Sequence, residues 1–367
     1  MIPYLVPVII TIFGIIQYDI KKQKGVNEKL CYFALFVYLV ALIGLRYEVG
    51  GDTLNYMGDF QWRADLSDWY FVYNDNGFQP FYTLLCAIAK SISSDFYIFQ
   101  LIHAFIFNGL LFVFLAKNTQ YKFTALFLVF LIYYLYFSTE ILREALAVFV
   151  FVFNYDNLKN NRWFRYYIGV CISCLFHISS VFLVVLPFMK WIHIGKYYFI
   201  ALGFVILLMI QLNSFFAIFS PLSLIAEKIS RYDSVSFGGY LFSFLNLLRY
   251  TIIPLFICLI ARYIIGEKVK YENMLLILSL IEICSLFSFI LFGRFLNYFV
   301  PFLVISITDI LYKLWESYNI RLKSFSIVLL MFILLIYGSY YIHLNMYTRW
   351  IPYYSIYNPV TVNRDNF

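Results

Sequence analysis

Four short segments carry residues whose types and spacing suit chemistry on an anion. The first is Arg46 followed by Gly50, Gly51, Asp52, Thr53 and Tyr56. Paired glycines let a backbone turn tightly and aim N–H groups at a negative charge, with Arg46 and Asp52 beside them. A plain loop in which Asp52 and Thr53 cap the next helix fits the same residues. The second segment, Ser138-Thr139-Glu140-Ile141-Leu142-Arg143-Glu144-Ala145, reads as a helix opening with cap-like residues. An arginine in a first turn opposes the helix dipole by up to about 1 kcal/mol. A bound phosphate would reverse that sign, and snorkelling to the interface is the plainer alternative. The third, Phe176-His177-Ile178-Ser179-Ser180, interrupts an apolar run. A lone histidine there is usually a satisfied structural group, and its place at the break favours a functional one. The fourth is Gly293-Arg294-Phe295-Leu296-Asn297-Tyr298. Arg294 and Asn297 at i, i+3 share a helix face, with Tyr298 one turn from Arg294.

Two further charges, Arg249 and Glu282, lie about nine residues from the outer ends of consecutive apolar runs, roughly 13 Å deep. Ionisable residues at membrane depth are functional candidates and need a partner. The two are expected to approach each other, as a structural ion pair or as a pocket lining. Guanidinium groups pair bidentately with phosphate and stay charged at low dielectric. The chemistry these residues suit is therefore capture of a phosphate-class anion.

The elements that must position these groups are membrane spans. Of 367 residues, 63% are hydrophobic and only 13% charged, against about half and about a quarter in soluble domains. Apolar runs fall at 2–20, 30–46, 96–116, 123–139, 141–156, 197–217, 240–262, 272–291, 295–312 and 324–343. A span needs about 20 such residues. The fold expected is an all-α polytopic bundle of about 11–12 membrane segments, in one membrane domain over 1–367. The run 2–16 lacks a basic leader and a small-residue cleavage site and reads as a retained span. Cys171 and Cys174 lie mid-span without a second pair and read as ordinary buried residues. No His/Asp cluster argues for a metal, and no cofactor is implied. The net charge of +7 is scattered through short loops, which excludes a nucleic-acid surface.

Loop charges set the orientation. Lys21, Lys22, Lys24 and Lys29 place the first loop in the cytoplasm, and the acidic stretch 47–95 forms an external loop with short helices. Parity then fails if 166–190 crosses once, because the basic loop Arg262–Lys270 would lie outside. Breaking that run at His177, Ser179 and Ser180 into a hairpin repairs it, and leaves 218–239 as an external loop. Broken helices at membrane depth are tolerated where they line a cavity. Seventeen of the 27 lysines and arginines then face the cytoplasm. The other ten, Arg46, Arg63, Lys90, Arg143, Lys228, Arg231, Arg249, Arg294, Arg349 and Arg364, fall at or near the outer face.

In these segments the chain resembles the EpsG/Wzy-type bacterial polysaccharide polymerases. Arg46, Gly50, Gly51, Asp52, Thr53 and Tyr56 match an early motif, and Ser138, Arg143 and Ala145 or Ala147 a second. There Glu144 stands where the family usually has Gln. Phe176, His177 and Ser179 match a third, and Arg294 and Tyr298 a late one, so the resemblance covers about 40–300. It implies a GT-C-like, metal-independent integral glycosyltransferase in the bacterial inner membrane, with its site facing the periplasm. Such an enzyme moves a growing glycan from undecaprenyl diphosphate to a sugar hydroxyl of a lipid-linked repeat unit, for O-antigen, capsule or exopolysaccharide. Arg143 and Arg294 are then the first diphosphate clamps, with Arg46 and Arg249 next. Tyr56, Asn297 and Tyr298 are further binding residues, and Asp52, Glu144 or His177 is the base. Tyr232, Tyr240, Tyr353, Tyr354 and Tyr357 stack on sugars or form an interfacial belt. Implied partners are undecaprenyl-diphosphate-linked oligosaccharide as donor and acceptor, membrane lipid, a chain-length regulator and a flippase. A lipid-linked oligosaccharide flippase, an O-antigen ligase and, more distantly, a membrane acyltransferase are the alternatives.

Overall fold

A computed structural model describes residues 2–68, 79–189, 192–200, 202–204, 239–286 and 289–361. All but the last residue of the expected external loop 218–239, most of the span 197–217, and Lys190, Lys228, Arg231, Tyr232 and Arg364 lie outside them, as do residues 69–78 of the first external loop. The described residues are all-α. Among them, five helices are long and apolar enough to cross a bilayer: Ile2–Ile20, Val26–Gly44, Phe96–Asn118, Gly239–Ile265 and Ile320–His343. The shortest have 19 residues, about 28 Å at 1.5 Å per residue, close to the hydrocarbon thickness. The chain is a polytopic helical membrane protein. The expected span 123–139 is two helices, Lys122–Ile132 and Tyr134–Thr139, broken at Tyr133, whose φ of −150° and ψ of −7° leave the helical region.

The residues pack as two compact units, Met1–Val184 with Tyr347–Phe367, and Val185–Met346. In the first unit, the loops read as cytoplasmic gather at one end. Lys122 pairs with Glu28 at 2.8 Å and Lys117 with Asp156 at 3.2 Å. There the Asp19 carboxylate accepts from the Thr124 N–H at 2.7 Å and its hydroxyl at 2.8 Å, in the first turn of Lys122–Ile132. At the other end the C-terminal residues lie along the loop after Val26–Gly44. The N–H of Ile356 donates to Leu45 O, that of Tyr47 to Tyr354 O, and that of Gly50 to Arg349 O. Beneath this loop Tyr56, Phe60, Tyr82, Phe96, Phe99 and Leu142 form one buried cluster.

Helices Leu142–Lys159 and Trp163–Phe176 run antiparallel in a fixed register. Asn154 Nδ2 donates to Tyr166 O at 2.7 Å, and Ser173 Oγ to Ala147 O at 2.8 Å. Gly169 permits this approach, since a Cβ there would stand 2.3 Å from the Asn154 amide. The chain breaks where the parity argument requires. Trp163–Phe176 ends, His177 is extended with φ −154° and ψ 128°, and Ile178–Val185 continues as a 3-10 helix. The Tyr166 hydroxyl donates to Leu183 O at 2.6 Å, so the chain has turned back along its own first arm. In the second unit, the N–H of Ile194 donates to Glu272 at 2.9 Å, and Arg262 lies 3.6 Å from the same carboxylate. Lys313 pairs with Glu267 at 2.6 Å. Residues 192–196 thus share an end of that unit with the basic loop at 262–270, as the hairpin demands.

Candidate functional site

The glycine loop is built to hold an anion, and the protein supplies that anion itself. Glu140 is buried, and its carboxylate accepts from the N–H of Gly51 at 2.8 Å and of Asp52 at 3.2 Å. A Cβ on Gly51 would meet Glu140 Oε2 at 2.9 Å. Gly50 has φ +109°, and a Cβ there would meet Thr139 at 2.8 Å. Thr139 in turn accepts from Trp350 Nε1 at 2.9 Å. Burial pushes the Glu140 carboxyl above the usual range for glutamate, while nearby Arg349 and the two backbone donors oppose the shift. The N–H groups that suit an external anion are therefore occupied by Glu140, across a sequence separation of 89 residues.

Arg46 is likewise committed inward. It is 1% exposed, and donates to Ile43 O at 2.6 Å and Val49 O at 3.0 Å, leaving only Nη2 without a partner. Burial lowers its pKa to about 10, which keeps it protonated at neutral pH. Two other outer cations are also taken. Arg63 holds Asp59 at 2.8 and 2.9 Å, and Lys90 donates to backbone carbonyls, including Gln61 O at 2.8 Å.

Arg143 differs from all of these. It sits in the first turn of Leu142–Lys159, half-buried, over the rings of Tyr56 at 5.6 Å and Tyr82 at 5.4 Å. Among the described residues it forms no ion pair, and its Nε is buried without a hydrogen-bond partner. The Tyr56 ring is held in turn by its hydroxyl, which donates to Glu140 O at 3.1 Å. Asp52 lies one turn before Tyr56, since the N–H of Tyr56 donates to Asp52 O at 3.0 Å. Its carboxylate is exposed and accepts from Asn55 Nδ2 at 3.2 Å, instead of capping the helix as expected; Thr53 turns back to Val49 O. The helix register above puts His177 level with Arg143, four residues beyond Ser173 and four before Ala147. His177 is buried, with Nδ1 bonded to Ser179 Oγ at 2.6 Å. Glu144 is also buried. Ser138 and Thr139 do not open the Arg143 helix. They close the preceding one, and both hydroxyls donate to Leu135 O.

The second unit holds the remaining candidates. Arg249 lies in a widened, π-helical turn, Leu248–Ile252, and is 3% exposed. Its guanidinium stands 3.6 Å from the Tyr340 ring centre, 4.7 Å from Tyr250 and 4.8 Å from Tyr337. It donates to Asn246 Oδ1 at 3.0 Å and to the Tyr250 hydroxyl at 2.8 Å. Arg249 and Glu282, expected to approach each other, form no ion pair among the described residues. Glu282 feels the charge of Arg249, yet its Oε2 takes a hydrogen bond from Ser285 at 3.1 Å and its Oε1 has no partner. Tyrosine rings fill the place the carboxylate was expected to take. Helix Phe289–Leu296 ends before Asn297, so Arg294 and Asn297 do not share a face; Arg294 is exposed, whereas Asn297 and Tyr298 are buried in the following turn. Of the tyrosines considered for sugar stacking, Tyr240 and Tyr357 are exposed, and Tyr353 is half-buried with its hydroxyl donating to Leu42 O.

A family model described as the EpsG family matches residues 29–355. The chain belongs to the EpsG family. No curated protein and no solved structure matches it. The EpsG match takes in all four segments singled out above, and membership points to a role in polysaccharide polymerisation. Sequence reasoning missed Glu140, treated only as a cap-like residue, and Tyr82, which shares Arg143 with Tyr56. The adjacency of Glu140 to Arg143 in one polar segment was the available signal for the first; Tyr82 left none.

Proposed function

We propose that this EpsG protein polymerises polysaccharide on the non-cytoplasmic face of the bacterial inner membrane. It transfers a growing glycan from undecaprenyl diphosphate to a sugar hydroxyl of a lipid-linked repeat unit. The observation that carries the proposal is Arg143, a half-buried arginine over two tyrosine rings that forms no ion pair among the described residues. In the reaction the bond between the sugar C1 and the diphosphate oxygen breaks. The electron pair leaves with the diphosphate, and the acceptor oxygen forms the new bond to C1. Arg143 stabilises the departing charge. Asp52, exposed and one turn from Tyr56, takes the acceptor proton. His177, level with Arg143, is the second candidate for that proton. The face follows from charge: Arg143 lies at the end of its unit opposite the pairs Lys122–Glu28 and Lys117–Asp156.

Complementation of a polymerase-null strain tests this, with Arg143→Ala and Arg294→Ala at equal membrane expression. The expected result for Arg143→Ala is loss of long chains with single-repeat products retained. Wild-type chain lengths in that variant would overturn the assignment, and wild-type chain lengths in Arg294→Ala would remove Arg294 as a clamp.

A further inference from the structure

We propose that an apolar groove below Arg143 seats the isoprene units nearest the diphosphate of a polyprenyl-diphosphate substrate. The proposal rests on the polymerase reading above. The groove encloses about 260 Å³ and is lined by apolar side chains that include Phe81, Ile88, Ile106, Leu146, Val150 and Phe176. Typical small-molecule sites span about 300–1,000 Å³, so this one takes a segment of a long chain and leaves the rest in the bilayer.

Three observations tie the groove to Arg143. Leu146 and Val150 follow Arg143 at i+3 and i+7, which places all three on one face of Leu142–Lys159. Tyr82, whose ring lies under the guanidinium, belongs to the same helix as Phe81 and Ile88. The groove also runs inward from the cation. His103 Nε2 and Leu142 O are 3.0 Å apart, which sets Arg143 seven residues into Phe96–Asn118, or roughly 10 Å. Ile106 lies about one turn deeper. A cation with a buried, unpartnered Nε thus caps a channel with apolar walls, which complements an anionic head on a hydrocarbon chain. Phe81 meets Phe176 edge-on at 5.4 Å and closes one side, while Ile88 is exposed on another and leaves a lateral way in from the membrane. A tail moving from bilayer to groove exchanges one apolar medium for another. The groove therefore contributes little hydrophobic free energy; it fixes the direction from which the diphosphate reaches Arg143.

The test uses the full chain in phosphatidylcholine nanodiscs with undecaprenyl diphosphate carrying a photoreactive group on its head-proximal isoprene units. Expected cross-links in the wild-type protein fall on 81–88 and 146–150. Val150→Trp, which fills the groove, lowers their yield at least tenfold, while inorganic diphosphate, which has no isoprene units, still binds. Arg143→Ala weakens both ligands. Cross-links elsewhere with Arg143-dependent binding intact would overturn the groove and spare the polymerase reading. Cross-links in the groove that excess phosphatidylglycerol abolishes would mark a general lipid seat and overturn it too. Failure of the wild type to bind either diphosphate would overturn both readings. The wild-type map keeps the proposal falsifiable even where Val150→Trp fails to fold.

Discussion

Arg143 and Arg249 are both arginines held over tyrosine rings near membrane depth, one in each unit, and their surroundings differ. Arg249 is 3% exposed, has three rings around it, and gives two nitrogens to Asn246 and Tyr250. Arg143 is half-buried, has two rings beneath it, and gives none of its nitrogens to a described partner. Arg249 keeps only its Nε without a partner, and an arginine that gives both terminal nitrogens to its own protein serves packing, because removing it strands buried acceptors. An arginine with donors to spare, at the edge of a groove, retains capacity for a ligand. Residue type and span depth alone do not separate the two.

The largest effect expected from this contrast is on Arg143. Its replacement by alanine should cut polymerising turnover about 100- to 1,000-fold, the usual loss on removing a transition-state charge donor, with the unfolding temperature little changed. Purified variants with a synthetic lipid-linked repeat measure both. Arg249→Ala should do the reverse. Stranding the Asn246 and Tyr250 acceptors and losing a desolvated ring contact should cost about 3 kcal/mol of stability, while turnover per folded molecule is retained. Thermal unfolding in detergent reads the first quantity. A stable but inactive Arg249→Ala would erase the distinction.

Smaller effects sharpen the picture around Glu140. Gly50→Ala forces a Cβ onto a residue at φ +109° and against Thr139, for about 1–3 kcal/mol of strain, seen as reduced membrane yield and a lower unfolding temperature. Glu140 predicts a pH dependence. Its carboxyl is raised by burial in the folded protein, so the folded state holds a proton that the unfolded state has released. Its contribution is fully present below the ordinary glutamate pKa, near 4.3, and is lost as pH rises through the raised value. Glu140→Gln should flatten that decline in an unfolding series that begins at about pH 4. An unchanged slope would remove Glu140 as its source.

How much of this was legible in the sequence depended on range. Spans and loop charge are local, and a parity count across them located the break at His177, which the extended His177 and the Tyr166–Leu183 hydrogen bond bear out. The glycine pair was legible as a nest, but its occupant was not, because Glu140 reaches it from a distant helix end. The Arg249 cage was illegible for the same reason: Tyr337 and Tyr340 come from Ile320–His343, and nothing at 249 announces them. The shared face proposed for Arg294 and Asn297 failed because periodicity assumes an unbroken helix, and this one stops at Leu296.

The most direct measurement is turnover per folded molecule for Arg143→Ala beside Arg249→Ala, read as undecaprenyl diphosphate released from a defined lipid-linked repeat. If Arg143 holds the diphosphate, the first variant loses at least about 100-fold and the second stays near wild type. Wild-type turnover in Arg143→Ala, or equal loss in both, would contradict it.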